Sequence, residues 1–599
     1  MFKPSILAAA VAACSSLPVF AETVLPVQII TASRMSTPID QALASVDVID
    51  RNTLDAYRGR DLSEILRYVA GMDAVRSGGP GGQTSLFTRG TESNHTLILI
   101  DGIRINSATS SQASIQNLTL DDIERIEVVK GPLSSLYGSE ALGGVINLIT
   151  REGRENRSSA SVTAGGQGQI AAGYNQSVNR GALHSFVQFS SLNQDGYASI
   201  AANPNKRGQK NQGADINASY HGEDFSLQLQ LRDNHGETEY ISQAWTPGPV
   251  DLLQSQTFIN RIAALKLSAD LGNNQTSSIR ISQLTDKLDQ NQSTDYAHTL
   301  QDTVELQHTA VLAPTDTLIA GVTLTRTDAA YNGIYDLTTR NKAVFLQNTW
   351  NDNLWNLRVS GRHEKFDEYG SQNTGSLAIG RMLAAGHSIY ASAGTGFKTP
   401  DFNERFDTSY GSNNPKLKPE KSKSVEIGSR HRIGNIEVST AFFRTALDNL
   451  ISYNKAFVLE NIDQAKSEGL ELNARWTSAD GWFAGAKAGY IHSRNSQTGM
   501  DLDRRPRRSL SLNGGFRQEN WGVSSAVLAK SHAGDFGGQR LPGYAVVNGS
   551  VYLLPSPGLK LMMSLENIGD IDYGSAYYDT GRLYLAAPFT ATLSATLSF

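Results

Sequence analysis

Two kinds of hydrophobic spacing divide the chain near Arg151. Beyond it, apolar and polar residues take turns. Phe225, Leu227, Leu229 and Leu231 interleave with Ser226, Gln228, Gln230 and Arg232. Phe589, Ala591, Leu593, Ala595, Leu597 and Phe599 alternate with Thr590, Thr592, Ser594, Thr596 and Ser598. A period of two puts the apolar set on one face of a strand and the small polar set on the other. A lipid-facing strand with a polar lumen needs that pattern, although a soluble sandwich also alternates. Roughly 450 residues at about 20 per strand and connection predict a transmembrane β-barrel of about 22 antiparallel strands. The long polar stretches Ala201–Ala214, Asp233–Asp251 and Phe402–Lys423 are expected to be outer loops.

Before Arg151 the spacing is mixed. Leu62, Ile65, Leu66 and Val69 follow the period of an amphipathic helix over Asp61–Val69, with Gly71 as its C-terminal cap. Leu97–Ile100 is a short apolar run ended by Asp101-Gly102, a buried strand meeting a tight turn. Ile123–Val129 breaks at Gly131-Pro132, and Gly143-Gly144 precedes the apolar run Val145–Ile149. Ser77–Gly82 must be a loop, and Ser107–Gln116 is a second, flexible one. Together these predict a small α+β domain.

Composition narrows the class. A net charge of −5 over 599 residues gives no basic surplus for nucleic acid. A mean hydropathy of −0.31 and the lack of a long apolar run exclude a helical membrane protein, but not a barrel. At the N-terminus, Lys3, the apolar stretch Ile6–Ala13 and Val19-Phe20-Ala21 predict a cleavable signal peptide over 1–21. A rival reading acylates Cys14, the single cysteine. Glu22–Ala32 is extended in character, because β-branched residues dominate and Pro26 forbids a helix. An unpaired segment of this kind can add a strand to a partner's sheet edge.

Six ordered blocks carry a family resemblance. They are Phe87-Thr88-Arg89-Gly90, Leu99-Ile100-Asp101-Gly102, Ile126-Glu127-Val128, Lys130-Gly131-Pro132, Tyr137-Gly138 and Gly143-Gly144-Val145-Ile146-Asn147. Together they closely resemble the plug domain of TonB-dependent outer-membrane receptors, and the terminal Phe599 matches the carboxyl signature of outer-membrane barrels. The resemblance implies a TonB box and periplasmic linker over 22–40, a plug over 41–152 and a barrel over 153–599. The core of the box would be Val27, Gln28, Ile29, Ile30, Thr31 and Ala32, with Pro26 a departure from the usual pattern. Gly394–Pro400, Asn414–Lys421, Asn461–Leu472 and Leu565–Ile568 follow the barrel pattern, and chain length with Leu502–Arg508 resembles the cobalamin (vitamin B12) branch.

Carried over by that resemblance, Gln83, Ser85, Glu92, Ser110 and Ser111 would lie near the ligand on the plug. Arg504 and Phe536 would do so on the barrel. Gln83 and Glu92 depart from the branch pattern, and Phe536 stands where the branch has Tyr. Asp233–Glu239 is rich in oxygen ligands suited to a hard cation. The cobalamin receptors order loops with calcium on several aspartates, but here the matching stretches read Gly196-Tyr197-Ala198 and Asn211-Gln212-Gly213. Glu239 and Asp251 remain as candidate metal ligands, and any calcium binding should be weak.

The resemblance implies a transporter and not an enzyme, with no cofactor required, and no nucleophile elbow, zinc helix or phosphate loop appears. Asp101 reads as turn chemistry. Arg89, Lys130 and Arg125 are expected in plug–barrel ion pairs that could release when the plug is pulled. The expectation is a monomer in outer-membrane lipid that imports a corrinoid. TonB and its inner-membrane energising complex would supply the work. The alternatives are a siderophore or other metal-chelate receptor of the same class, or a passive porin-like or adhesin-like barrel.

Overall fold

A strand in a bilayer must pair both of its edges, and closing the sheet is the way to do so. In the computed structural model 22 strands, from Arg157–Gly165 to Thr590–Ser598, close into one barrel in which every neighbouring pair is antiparallel. Residues 27–57, 61–244, 249–454 and 456–599 are described, without the side chains of 462 and 463. The expected signal peptide, Cys14 and the segment 22–26 lie outside them. The last strand closes the ring by pairing with both Leu559–Glu566 and Arg157–Gly165. Its alternation is realised as read: Thr590, Thr592 and Ser594 are buried toward the lumen, while Leu593 and Leu597 face outward.

Connections on one rim are tight turns, such as 181–182, 314–315 and 434–435. Trp350, Trp355, Trp476, Trp482 and Trp521 all sit beside turns of this rim with outward exposure. Such an aromatic row marks a membrane interface, and the short turns mark it as periplasmic. The opposite rim carries the longer connections 399–419, 496–507, 531–543 and 567–589. The outer-loop expectation holds over 402–419 and needs correcting elsewhere. Arg207–His221, Phe225–Ala244, Val250–Asp270 and Glu420–Ile433 are strands that run through the polar stretches read as loops. A membrane crossing takes about 9–11 residues, so strands of 20 and 21 residues stand well clear of the lipid. Out there the lipid face, and with it the apolar alternation, is no longer required.

The lumen holds the α+β domain. Its five-stranded sheet runs Val46–Ile49, Ile123–Lys130, Gly144–Thr150, Thr96–Ile100, Ile103–Arg104, with one parallel pair, Thr96–Ile100 beside Gly144–Thr150. Alternation again decides the faces. Ile98, Ile100, Ile126, Val128, Ile146 and Leu148 pack under two short helices, α1 (Arg51–Ala56) and α2 (Leu62–Leu66). Leu97, Leu99, Val129 and Val145 face Leu133 and Leu136, which flank and enter a third helix, α3 (Ser134–Tyr137). Leu62 and Leu66 are fully buried, each worth about 1.5–3 kcal/mol relative to exposure.

Asp61 caps α2 by accepting from the Glu64 N–H, as its position before the apolar spacing suggests. The helix stops at Leu66, however, and Gly71 is not its cap. Gly71 has a φ of +79°, and a Cβ there would lie 2.1 Å from Glu471 Oε1 on the barrel. The glycine therefore lets the plug backbone meet the wall. Asp101-Gly102 forms the expected two-residue turn, with Ile100 facing Ile103. The Asp101 carboxylate accepts from the Thr150 N–H and hydroxyl. Ser107–Gln116 is not free: Ser107 bonds Thr299, and the Phe402 and Asn403 N–H groups donate to the Ala108 and Thr109 carbonyls.

Candidate functional site

Three regions of the plug carry polar groups toward other parts of the molecule. At the outer mouth, Met72–Ser77 and Gln83–Thr88 form a hairpin whose tip brings Gly79 against the Arg207 carbonyl. Gln83 is exposed at this tip and Ser85 half-buried. Ser110 is half-buried on the neighbouring loop. Ser111 is buried at φ +54°, with its carbonyl accepting from the Asn106 side chain, so it is withdrawn from the mouth. Glu92 caps the short turn Ser93–His95 and pairs with Arg505 at 2.7 Å. Burial alone would raise its carboxyl; the Arg505 guanidinium and then His95 outweigh it and hold it below the usual carboxylate range.

Arg504 and Phe536 lie together, the guanidinium carbon 6.0 Å from the ring centre. Asp535 organises them: Arg504 Nε donates to its Oδ1 at 2.7 Å, and the Tyr577 N–H donates to Oδ2 at 2.6 Å. One carboxylate thus ties the loops 496–507, 531–543 and 567–589. Within the last, the hairpin Gly574–Tyr577 with Leu583–Leu585 folds inward, and Ala576 and Tyr584 pack on Val75 and Phe87 of the plug. Sequence reading missed Asp535 and Arg505. Arg505 sits with its guanidinium 4.0 Å from the Phe87 ring centre and touches the plug, which Arg504 does not. Within Arg504-Arg505-Pro506-Arg507-Arg508 nothing local separates the cations.

Glu239 and Asp251 are not brought together. Glu239 faces Ser255 and Asp251 faces Gln243 on one hairpin, four rungs apart, or roughly 13 Å at strand rise. Asp251 is engaged by Arg582 at 2.5 Å and by the Asn203 amide at 2.8 Å, while Glu239 accepts from the Gly208 N–H. Among the described residues no group of three or more acidic, His or Cys side chains is arranged to hold a metal.

Halfway down, a buried ionic cluster joins plug to wall. Arg89 grips Glu471 with Nε at 2.9 Å and a second guanidinium nitrogen at 3.0 Å, and also meets Glu426. Lys130 lies 2.9 Å from Asp47 and 3.0 Å from Glu471, and Lys487 of the barrel reaches Asp47 at 2.8 Å. Three cations thus meet three carboxylates. Burial would raise the Asp47 carboxyl, but Lys130 and then Lys487 hold it well below the carboxylate range. Arg89 and Lys130 make the interface pairs that were expected. Arg125 does not: its partner, at 2.8 Å, is Glu127 of the plug itself, two residues along the same strand.

At the periplasmic end, Val27–Ala32 is not the unpaired strand its sequence suggests. Gln28–Ile29 pairs with Thr37–Pro38, and Ile29, Thr31 and Ala32 are buried. The orphan donors of this segment converge on one oxygen. Glu127 Oε2 accepts from the Ile30 N–H at 2.9 Å, the Thr31 N–H at 2.9 Å and the Thr31 hydroxyl at 2.7 Å. Tyr137 donates to the Thr31 carbonyl at 3.0 Å.

The barrel region matches the family described as TonB dependent receptor-like, beta-barrel over residues 153–568, and the lumenal domain matches the TonB-dependent Receptor Plug Domain over residues 38–145. The vitamin B12 transporter BtuB of Photobacterium profundum is 29% identical over 606 residues, covering 95% of this chain and 96% of the relative. BtuB of Vibrio vulnificus strain YJ016 is 28% identical, covering 93% of each. Among solved structures, the ferric-catecholate import receptor Fiu of E. coli aligns with a TM-score of 0.80 at 16% identity, covering 96% of this chain and all of that one. The ferric yersiniabactin receptor FyuA of Yersinia pestis aligns at 0.75 and 17%, covering 93% of this chain and 98% of that one. At such identities the structural likeness speaks for the fold alone. A closed barrel around a plug, matched to its family over both parts, makes this chain a member of the TonB-dependent outer-membrane receptors, a family of transporters and not of enzymes.

Proposed function

We propose that this receptor imports cobalamin or a related corrinoid, bound at the mouth over Gln83, Ser85, Glu92 and Ser110 and beneath Arg504 and Phe536. The Vibrio and Photobacterium relatives, named as vitamin B12 transporters, span almost the whole chain and support the reading. The observation that carries it in this molecule is electrostatic. Arg504, Arg505 and Arg582 at the mouth are each already paired with a carboxylate: Asp535, Glu92, and Asp251 with Asp579. A pocket for an anionic iron chelate would keep such exposed cations free, whereas a bulky polar ligand without strong net charge suits these neutralised arginines; Arg207, whose guanidinium has no partner among the described residues, is buried behind the hairpin tip. Calcium is not required in this reading, because Asp251 and Glu239 already have donors. Val27–Ala32 serves as the TonB box: ligand outside, release inside, then pairing with TonB and a pull on the plug, driven by the inner-membrane energising complex. The protein works as a monomer.

Equilibrium binding of cyanocobalamin to the purified receptor in detergent, with calcium and with chelator, tests the assignment. Nanomolar binding indifferent to calcium is the expected result. Calcium-dependent binding would overturn the metal-free reading. Absence of binding, with ferric chelates bound instead, would move the ligand to the siderophore class. Deleting 22–32 should abolish uptake and spare binding; uptake that persists would indicate a passive barrel.

A further inference from the structure

The plug does not meet the wall equally all round. Between α1–α2 and the strands on either side of the barrel closure lies an upper cavity of about 190 Å³. Its wall includes Arg51, Asp61, Glu64, Arg67, Arg76 and Gln194. Below it, on the periplasmic side, a second cavity of about 360 Å³ is bounded by α1 and by Ser511, Asn513, Ser524, Ser525 and Ser550. The two cavities share Tyr57, Tyr68 and Asn548 as wall. These three side chains form a partition: the Asn548 amide donates to the Tyr68 hydroxyl at 2.5 Å, and the rings of Tyr57 and Tyr68 lie 5.4 Å apart. Asn548 is itself held by the Asn567 N–H at 2.8 Å.

The other side of the plug is seated closely. Ser135 of α3 is bonded by the Ser360 hydroxyl at 2.8 Å and bonds Ser376 at 3.3 Å. A Cβ on Gly396 would come within 2.9 Å of the Leu142 Cα. Short hydroxyls and glycine backbone bring the two surfaces into direct contact there.

We propose that solute crosses this receptor along the seam between α1–α2 and the barrel, and that Tyr57, Tyr68 and Asn548 form its gate. The seam rests on the transport reading and not on the corrinoid assignment. Moving Tyr57 and Tyr68 aside joins the two cavities, while α3 stays on its wall. Hydroxyl and amide side chains of the wall line the lower cavity with Arg475, Lys487 and Arg517 among them, so the route offers hydrogen-bond partners and fixed charge to a polar solute.

Two measurements test it, on receptors whose barrel closure is verified by heat-modifiable gel mobility. The first is sucrose efflux from proteoliposomes without TonB. The double variant Tyr57→Ala/Tyr68→Ala should raise efflux at least fivefold over the parent, and Ser135→Ala/Ser360→Ala should not. Equal rates in all three, or a leak only in the serine variant, would overturn the gate. The second is cyanocobalamin uptake by cells carrying Ser135→Cys/Ser376→Cys in a Cys14→Ser background. Oxidation should leave at least half of the uptake. Loss on oxidation, restored by reductant, would mean the α3 side must detach and would overturn the seam. Should the parent transport no cyanocobalamin, the corrinoid assignment fails and sucrose efflux alone decides the gate.

Discussion

Replacing Glu127 by Gln should release Val27–Ala32, the proposed TonB box, without ligand. In the native plug one carboxylate oxygen receives three donors from Ile30 and Thr31, at 2.7 to 2.9 Å. The amide oxygen of Gln keeps the acceptor and loses the charge. Hydrogen bonds to a charged group contribute about 1.5–3 kcal/mol and neutral ones about 0.5–1.5 kcal/mol. Three donors on one oxygen are not additive, so a total loss of about 2 kcal/mol is reasonable. That is roughly a 30-fold rise in the released fraction, and the apparent Kd for TonB falls by up to the same factor while release remains the minor state. Titrating the periplasmic domain of TonB into ligand-free receptor reads the Kd. A spin label at Val27→Cys, a position 47% exposed, reads mobility. Thr31→Val, which removes only the hydroxyl, should give a smaller effect in the same direction. A Kd and a label mobility both within twofold of the parent would refute the idea that Glu127 retains the segment.

Three further outcomes follow from the same geometry. Arg89→Met leaves Glu471 and Glu426 buried with fewer partners and should weaken plug seating by about 3–5 kcal/mol, read by hydrogen exchange over 123–130, whereas Arg125→Ala should cost about 1 kcal/mol or less. Asp535→Asn should weaken ligand binding about tenfold, because Arg504 and the Tyr577 N–H lose their shared charge, and a titration with cyanocobalamin measures it. Burial pushes the Asp101 carboxyl up from 3.8 to about 6, against the Thr150 hydrogen bonds. The folded plug therefore binds the extra proton, and its stability declines as pH rises from about 4 to about 6 and is flat above. Asp101→Asn should remove that slope, worth on the order of 2 kcal/mol, in calorimetry at pH 4.5 and 7.

Much of this architecture is written locally. The last strand alternates over its whole length because one face meets lipid and the other the lumen, and Asp101-Gly102 turns where the backbone must take positive φ. Strand length was not legible in the same way. The residues 233–244 pair at every rung with their neighbour, yet beyond the membrane neither face is constrained to be apolar, so they read as loop. The mouth was legible only in part, for a related reason: its chemistry is made by pairs distant in the chain. Asp251 looks like a spare carboxylate until Arg582, 331 residues later, is seen beside it. Arg504 and Arg505 differ only in which way the backbone sends them, and the φ of +62° at Arg504 has no signature in a run of cations. Glu127, whose flanking apolar residues announce a strand, gave no hint that it would face the N-terminal segment.

The tryptophans at the periplasmic rim have a practical consequence. Residues 27–152 contain no tryptophan, and among the described residues the five indoles all belong to one girdle. With Trp245, which lies outside the described residues, replaced by Phe, intrinsic emission becomes a depth gauge for the inner leaflet of the bilayer. It should shift when the acyl chains are lengthened or brominated near the glycerol, and stay constant when the plug is displaced. Plug displacement then needs a reporter of its own, and a plug without tryptophan is a clean background for one: a single indole introduced at Tyr137 would read what the barrel contains, apart from how the barrel sits in its membrane.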